Sequence, residues 1–174
     1  MNKGVLTSNR TFAGDEVYTP FYAVDPLLEF IPKNKKIWCP FDEEWSAYVQ
    51  TFKEKGYEVT YSHLNYNQDF FQYEPDSWDI LVSNPPYSQK DEVLKRAFSF
   101  DKPFALLLPL STLQGKARFE IFNNRIQLLG FDSRVNFLQG GEKNSPFAVG
   151  YLCRDILPTK LELRKLVKYE RSLL

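Results

Sequence analysis

Apolar and polar positions along this chain follow two alternating rhythms. Residues 78–83 and 104–108 are nearly unbroken apolar runs, the pattern of parallel strands covered on both faces. Residues 36–41 form a similar run, and residues 57–61 alternate with a period of two. Between these runs the spacing becomes helical. Trp45, Tyr48, Val49 and Phe52 share one face of a helix predicted over 44–55, and Gly56 stops it. Further helices are predicted over 25–30, with Asp25 as cap and Pro26 in the first turn, and over 91–98 and 117–122. Short strands follow over 126–129, 135–138 and 147–153. A polar, glycine-bearing loop over 139–146 joins the last two and predicts an antiparallel hairpin. Residues 158–173 read as a charged terminal helix, and residues 1–17 as a polar leading segment.

Strands alternating with helices predict an α/β fold, a doubly wound and mostly parallel sheet closed by a C-terminal antiparallel hairpin. No linker, repeat or low-complexity stretch divides the chain, so residues 1–174 read as one domain.

Aromatic residues make up 16% of the positions, ample material for a core. Twenty-two basic residues balance 22 acidic ones, so any nucleic-acid contact must come from a local patch. Cys39 and Cys153 lie far apart in apolar runs and read as buried free thiols of a reducing compartment. No apolar run is long enough to span a bilayer, and the expectation is a soluble cytoplasmic protein. No His, Cys, Asp or Glu group shows metal-ligand spacing, so no metal is expected. No Ser or Cys sits in a nucleophile elbow, and the single histidine, His63, reads as structural.

In a doubly wound sheet, ligands bind at the carboxyl ends of strands near the switch in strand order. The apolar run over 78–83 ends in Asn84-Pro85-Pro86-Tyr87. The Asn84 side-chain oxygen and the Pro85 carbonyl could each accept one hydrogen of a planar conjugated amine, such as N6 of adenine. The lone pair of such an amine is delocalised and reacts poorly. Two acceptors bias the nitrogen towards tetrahedral geometry and free the lone pair. Pro85 and Pro86 hold φ near about −65° and carry no N–H, so the loop is stiff and its carbonyls stay available. Tyr87, with Ser88 beside it, offers a face for a base turned out of its stack.

Three other segments fall at strand ends. In Cys39-Pro40-Phe41-Asp42-Glu43 an acid could hold an ammonium or a ribose hydroxyl of a donor, although Asp42 could equally cap the helix over 44–55. In Asn67-Gln68-Asp69-Phe70-Phe71, Asp69 could accept from the amine of an adenosine ring while Phe70 packs on its face; a solvated turn and plain core rings are the alternatives. The third is Pro109-Leu110-Ser111-Thr112. Lys90, Lys116, Arg118 and Arg134 fall nearby and could meet phosphates.

Asn84-Pro85-Pro86-Tyr87 resembles the catalytic motif of the S-adenosylmethionine-dependent amino-methyltransferases, chiefly the N6-adenine type. Tyr18-Thr19-Pro20 before an apolar helix resembles their motif that touches the methionine part of the donor. Residues 36–43, with Pro40, Phe41 and Asp42, are placed like the first donor motif, and Asp69-Phe70 like the one that holds the donor adenine. Residues 35–42 with Gly56-Tyr57-Glu58-Val59 are most similar to the EcoRI-type modification methyltransferases and phage relatives. Arg134-Val135-Asn136-Phe137 and Pro146-Phe147 resemble the late motif whose aromatics, here Phe137 and Phe147, meet the flipped base. The resemblance spans roughly residues 17–153. It departs from the family in two places. No glycine follows the first strand, and the second ends in Ser62-His63 where an acid is common.

The resemblance implies a class I, Rossmann-like methyltransferase with S-adenosylmethionine as cofactor. Asn84, Pro85, Pro86 and Tyr87 would be catalytic, and the acceptor would be adenine N6 of DNA, or of RNA. It implies a restriction-modification or phage setting. With no separate target-recognition domain following the motif, sequence-specific reading would need a homodimer or a specificity partner. Two alternatives stay open: a methyltransferase acting on a protein glutamine or on guanine N2, and a catalytically degenerate methyltransferase fold that binds nucleic acid.

Overall fold

The computed structural model describes residues 18–138 and 147–173. The leading segment 1–17 and the loop 139–146 of the expected hairpin lie outside the described residues.

Seven strands form one sheet in the order β2-β1-β3-β4-β6-β5-β7. They are β1 (Lys36–Cys39), β2 (Glu58–Tyr61), β3 (Ile80–Ser83), β4 (Phe104–Pro109), β5 (Gln127–Phe131), β6 (Val149–Arg154) and β7 (Leu161–Arg164). The pairings make β6 antiparallel to both of its neighbours and every other pair parallel. Six strands therefore share one direction. Their carboxyl ends, and the amino end of β6, lie along one edge. From β1 the chain crosses first to β2 on one side and later to β3 on the other, so the order reverses between β1 and β3. This is the Rossmann-like α/β fold expected from the residue pattern.

Side-chain alternation explains the two layers. In β4, Phe104, Leu106 and Leu108 enter one core, with Ala105 and Leu107 on the opposite face in the other. The first core lies under α3 (Lys90–Ser99) and α4 (Lys116–Phe122), which contribute Val93, Leu94, Ala97 and Phe122. The second lies under α1 (Phe21–Val24), the 3-10 turn Asp25–Glu29 and α2 (Ala47–Glu54), which bring Phe21, Leu27, Tyr48 and Phe52. Such runs need both faces covered, which explains why they are apolar throughout. Gly56 ends α2 with φ of 82°, in the left-handed region that suits a residue without Cβ.

Two expected elements are corrected. Residues 135–138 form no strand. Val135 and Phe137 are buried, which gives the period of two, but the backbone bonds go elsewhere. The Asn136 N–H donates to the Tyr22 hydroxyl at 2.8 Å, and the Leu138 N–H to the Tyr18 carbonyl at 2.9 Å. The antiparallel partner of β6 is β5 instead. Residues 158–173 form no helix either. Leu161-Glu162-Leu163-Arg164 alternates, and it pairs in parallel with residues 128–131 of β5. Beyond it the chain is strapped across α1 and α2. The Leu166 N–H donates to Asp132 at 2.9 Å, the Tyr169 hydroxyl to Asp25 at 2.8 Å, and Arg171 pairs with Glu54. Among the described residues no helix is long and apolar enough to cross a membrane.

Leu106 is fully buried at the centre of β4. Leu106→Ala is expected to lower the unfolding free energy by about 2–5 kcal/mol, the range for truncating a core leucine. Urea denaturation checks this, and a loss well below that range would contradict the central place of β4.

Candidate active site

At the switch point the ends of β1 and β3 lie side by side, and each continues into a proline-bearing loop. After β1 come Pro40, Phe41, Asp42 and Glu43. Pro40 is buried and Phe41 half-buried, and no glycine occurs between Cys39 and Gly56. After β3 come Asn84, Pro85, Pro86 and Tyr87, with Pro85 buried and the others half-buried. The Gln89 N–H donates to the Pro86 carbonyl at 3.1 Å, which closes the turn into α3. The Tyr87 ring packs against both cores at once, so it sits over the junction of the two layers. Ser88 is exposed beside it.

One buried carboxyl joins the two loops. Asp42 is 7% exposed, and the Ser83 hydroxyl, one residue before Asn84, donates to its Oδ2 at 2.5 Å. Burial pushes the Asp42 carboxyl up to about 7, against the hydrogen bonds from Ser83 and Ser46, which favour the anion. Asp42 is thus not the helix cap that its position allowed. Ser46 holds the N-cap position without a side-chain cap bond, its hydroxyl accepting instead from the preceding Glu43 N–H at 3.0 Å. A second tie runs alongside. The Trp38 indole donates to the Ser62 hydroxyl at 3.0 Å, and the Ser62 N–H to the Cys39 carbonyl at 3.0 Å. The loops after β1, β2 and β3 are thereby locked in one row.

Below this row lies a buried pair of phenols. The Tyr151 hydroxyl donates to the Ala23 carbonyl at 2.9 Å and lies 3.0 Å from the Tyr48 hydroxyl. Burial, then the neighbouring Tyr151, pushes the Tyr48 phenol well up, with the Thr19 hydroxyl pulling the other way. Thr19 and Pro20 are buried directly before α1, with Pro20 at its N-cap. Tyr18 is half-open, with its ring edge-on to Trp45 at 4.9 Å.

The remaining candidates divide. Asp69 closes a turn by accepting the Phe71 N–H at 3.0 Å. Phe70 is 2% exposed, 4.8 Å from Phe41 and 5.6 Å from Trp38, in an aromatic cluster under the loop. Phe41 is one of the rings of that cluster left partly open, with Phe71, Tyr73 and Phe100. Phe137, 5% exposed, belongs to the core, whereas Phe147 is 52% exposed where the chain enters β6. One functional candidate, Ser83, escaped sequence reasoning, and Glu43 was visible only as one of two strand-end acids. Ser83 ends an apolar strand as its one polar residue, a signal that was present. Glu43 accepts from the Asn65 amide at 3.1 Å and the Tyr66 hydroxyl at 3.2 Å, and is more open than Asp42. Only the folded loops show that Glu43, from the first strand, serves the end of the second.

The edge is electrostatically divided. The loops after β1 and β2 carry Asp42, Glu43, Glu44 and Asp69, and no Lys or Arg occurs from Gly56 to Gln89. The loops and helix starts after β3, β4 and β5 carry Lys90, Lys116, Arg118 and Arg134 together with Asp91, Glu92 and Asp132.

No family model matches the chain, and no curated protein matches it. Among solved structures it is similar to the protein-(glutamine-N5) methyltransferase (release factor-specific) of Alicyclobacillus acidocaldarius subsp. acidocaldarius. The identity is 13% and the TM-score 0.39, with 76% of this chain and 90% of that chain covered.

The raised Asp42 carboxyl gives stability a definite pH dependence. An exposed Asp in the unfolded chain loses its proton near about pH 4, whereas the folded chain keeps it to about pH 7. Between these values the folded state binds more protons, so stability falls as pH rises through that window and levels off above it. Asp42→Asn, which cannot ionise, is expected to remove this slope, on the order of 4 kcal/mol across the window. Urea denaturation of both proteins from pH 4 to pH 8 reads the difference, and parallel curves would refute a buried, proton-holding Asp42.

Proposed function

We propose that this protein is an S-adenosylmethionine-dependent methyltransferase that acts on N6 of adenine in nucleic acid. The observation that carries the reading is the Asn84-Pro85-Pro86-Tyr87 loop at the carboxyl end of β3, at the switch point, anchored through Ser83 to the loop after β1. The chemistry of the donor fits the residues present. S-adenosylmethionine carries an ammonium, a sulfonium, ribose hydroxyls and an adenine amine, and the acidic, cation-free half of the edge presents acceptors for all of them. Glu43 suits the ribose hydroxyls, Asp69 lies where the adenine amine would be met, and Phe41 offers an apolar wall. Tyr18, Thr19 and Pro20 border the same half. When bound, S-adenosylmethionine supplies a methyl group on a sulfonium.

The chain's own residues then act on the acceptor. The Asn84 side-chain oxygen and the Pro85 carbonyl accept the two amine hydrogens and hold the nitrogen lone pair in line with the methyl carbon. The methyl group would pass to the amine nitrogen and leave the donor sulfur as a neutral thioether, and the amine proton would pass to solvent. Tyr87, braced by both cores, holds the flat face of the base. Most of the rate gain would be orientation and fixed dipoles. The charge division supports a nucleic-acid acceptor. A cationic donor suits the acidic half, and a polyanion suits Lys90, Lys116, Arg118 and Arg134 on the other. Exposed Phe147 stands at the same edge as a second contact for an extruded base.

Asn84→Ala is expected to lower methyl transfer to DNA by about 100-fold or more, as for loss of one preorganised transition-state contact. Calorimetric affinity for S-adenosylmethionine should stay near the wild-type value. Transfer of labelled methyl groups, with mass spectrometry of the digested nucleosides, reads both rate and product. Turnover retained in the variant would overturn the role of Asn84, and a product other than N6-methyladenine would overturn the acceptor.

A further inference from the structure

We infer that α4 and the turn before it form a DNA-contacting element beside the proposed active site, with Phe119 stacking on bases and Lys116 meeting phosphate. The inference rests on the nucleic-acid reading of the acceptor and adds the surface that would hold it. Phe119 is 74% exposed, more than any other aromatic side chain among the described residues. It is not a core ring displaced by chance, because the helix already has its core contact in Phe122, 4% exposed and packed in the cluster under α3 and α4. Lys116 and Phe119 are three positions apart and so adjoin on the helix surface. Among the described residues Lys116 makes no ion pair.

The position of this surface is fixed. The Arg118 guanidinium pairs with Asp91 at 2.8 Å and so ties the start of α4 to the start of α3. It also donates to the Gln114 carbonyl and lies over Gly115, where a Cβ would come within 2.8 Å of its Nη2. α3 begins at Lys90, whose Nζ lies 3.4 Å from the Tyr87 carbonyl. Lys90 and Lys116 therefore flank one seam that leads directly into the Asn84–Tyr87 loop. With Arg118 held by Asp91, the two lysines and the exposed aromatic are the groups that could meet a nucleic-acid backbone and the face of a base beside the acceptor loop.

The test uses the full chain and a fluorescein-labelled DNA duplex of mixed sequence bearing a single-stranded gap, with anisotropy read over a range of salt. Phe119→Ala is expected to weaken binding about 5- to 150-fold, the range for losing one stacked base, and Phe119→Trp to restore it. Lys116→Ala should weaken binding for all sequences alike and reduce the salt slope by about one. Both positions are exposed, so the folded state should survive, and circular dichroism with donor calorimetry confirms it. Variants that bind DNA like the wild type would overturn the inference, and so would a wild type that does not bind the duplex. A wild type that binds through these residues but transfers no methyl group would leave the DNA-contacting element standing and overturn the proposed reaction alone.

Discussion

The arrangement of the candidate site depends on one short hydrogen bond, from the Ser83 hydroxyl to the buried carboxyl of Asp42. A carboxyl removed from water must keep its proton or gather donors. Asp42 does both, with Ser83 and Ser46 as donors and a proton affinity raised by burial. The bond spans the reversal in strand order. It joins the last residue of β3 to the loop after β1, so the two loops cannot move apart without exposing an unsatisfied acid. The Trp38–Ser62 contact repeats the device one strand further out. These ties supply by side chains what a glycine-rich turn elsewhere supplies by close backbone approach. They account for a first loop without glycine at a position where a ligand would lie.

Charge along the edge follows from the same topology. Because β1 and β2 lie on one side of the switch and β4 and β5 on the other, loops adjacent in sequence are sorted into two halves. One carries carboxylates and no Lys or Arg, and the other carries the cations together with Asp91, Glu92 and Asp132. A cation and a polyanion approaching the same point from opposite sides would each meet complementary potential. With zero formal net charge overall, the division matters more than the sum.

Much of this was legible in the residues. Six strands, three helices and the Asn84–Tyr87 loop follow from apolar runs, helical spacing and a stiff tetrapeptide, because each is a local pattern reinforced by burial. The failures have a common cause. Residues 135–138 alternate because Val135 and Phe137 are buried, but their N–H groups bond to Tyr22 and Tyr18, more than a hundred positions away in sequence. Residues 161–164 alternate as a strand does, but their abundant charges resemble a solvated helix. Their pairing with β5 is a tertiary fact. Likewise Asp42 was visible as an acid at a strand end, while its partner Ser83 belongs to another strand. Phe70 and Phe137 were visible as aromatics, but the side of the wall on which each ring lies is set by packing.

The reversed strand β6 has a consequence beyond completing the sheet. A parallel strand in its place would begin at the opposite edge and carry its entry residues away from the site. Running antiparallel, β6 pairs Val149 with Pro109 at the carboxyl end of β4, and the Leu110 N–H donates to the Ala148 carbonyl at 2.9 Å. The chain must therefore enter β6 beside the loop after β4, and this is why exposed Phe147 arrives at the same edge as Tyr87 and α4. Phe147 joins Tyr87 and α4, which follow the parallel strands β3 and β4, through the direction of a single strand. For a ligand with flat faces, strand direction is then as much a determinant of recognition as the residues themselves.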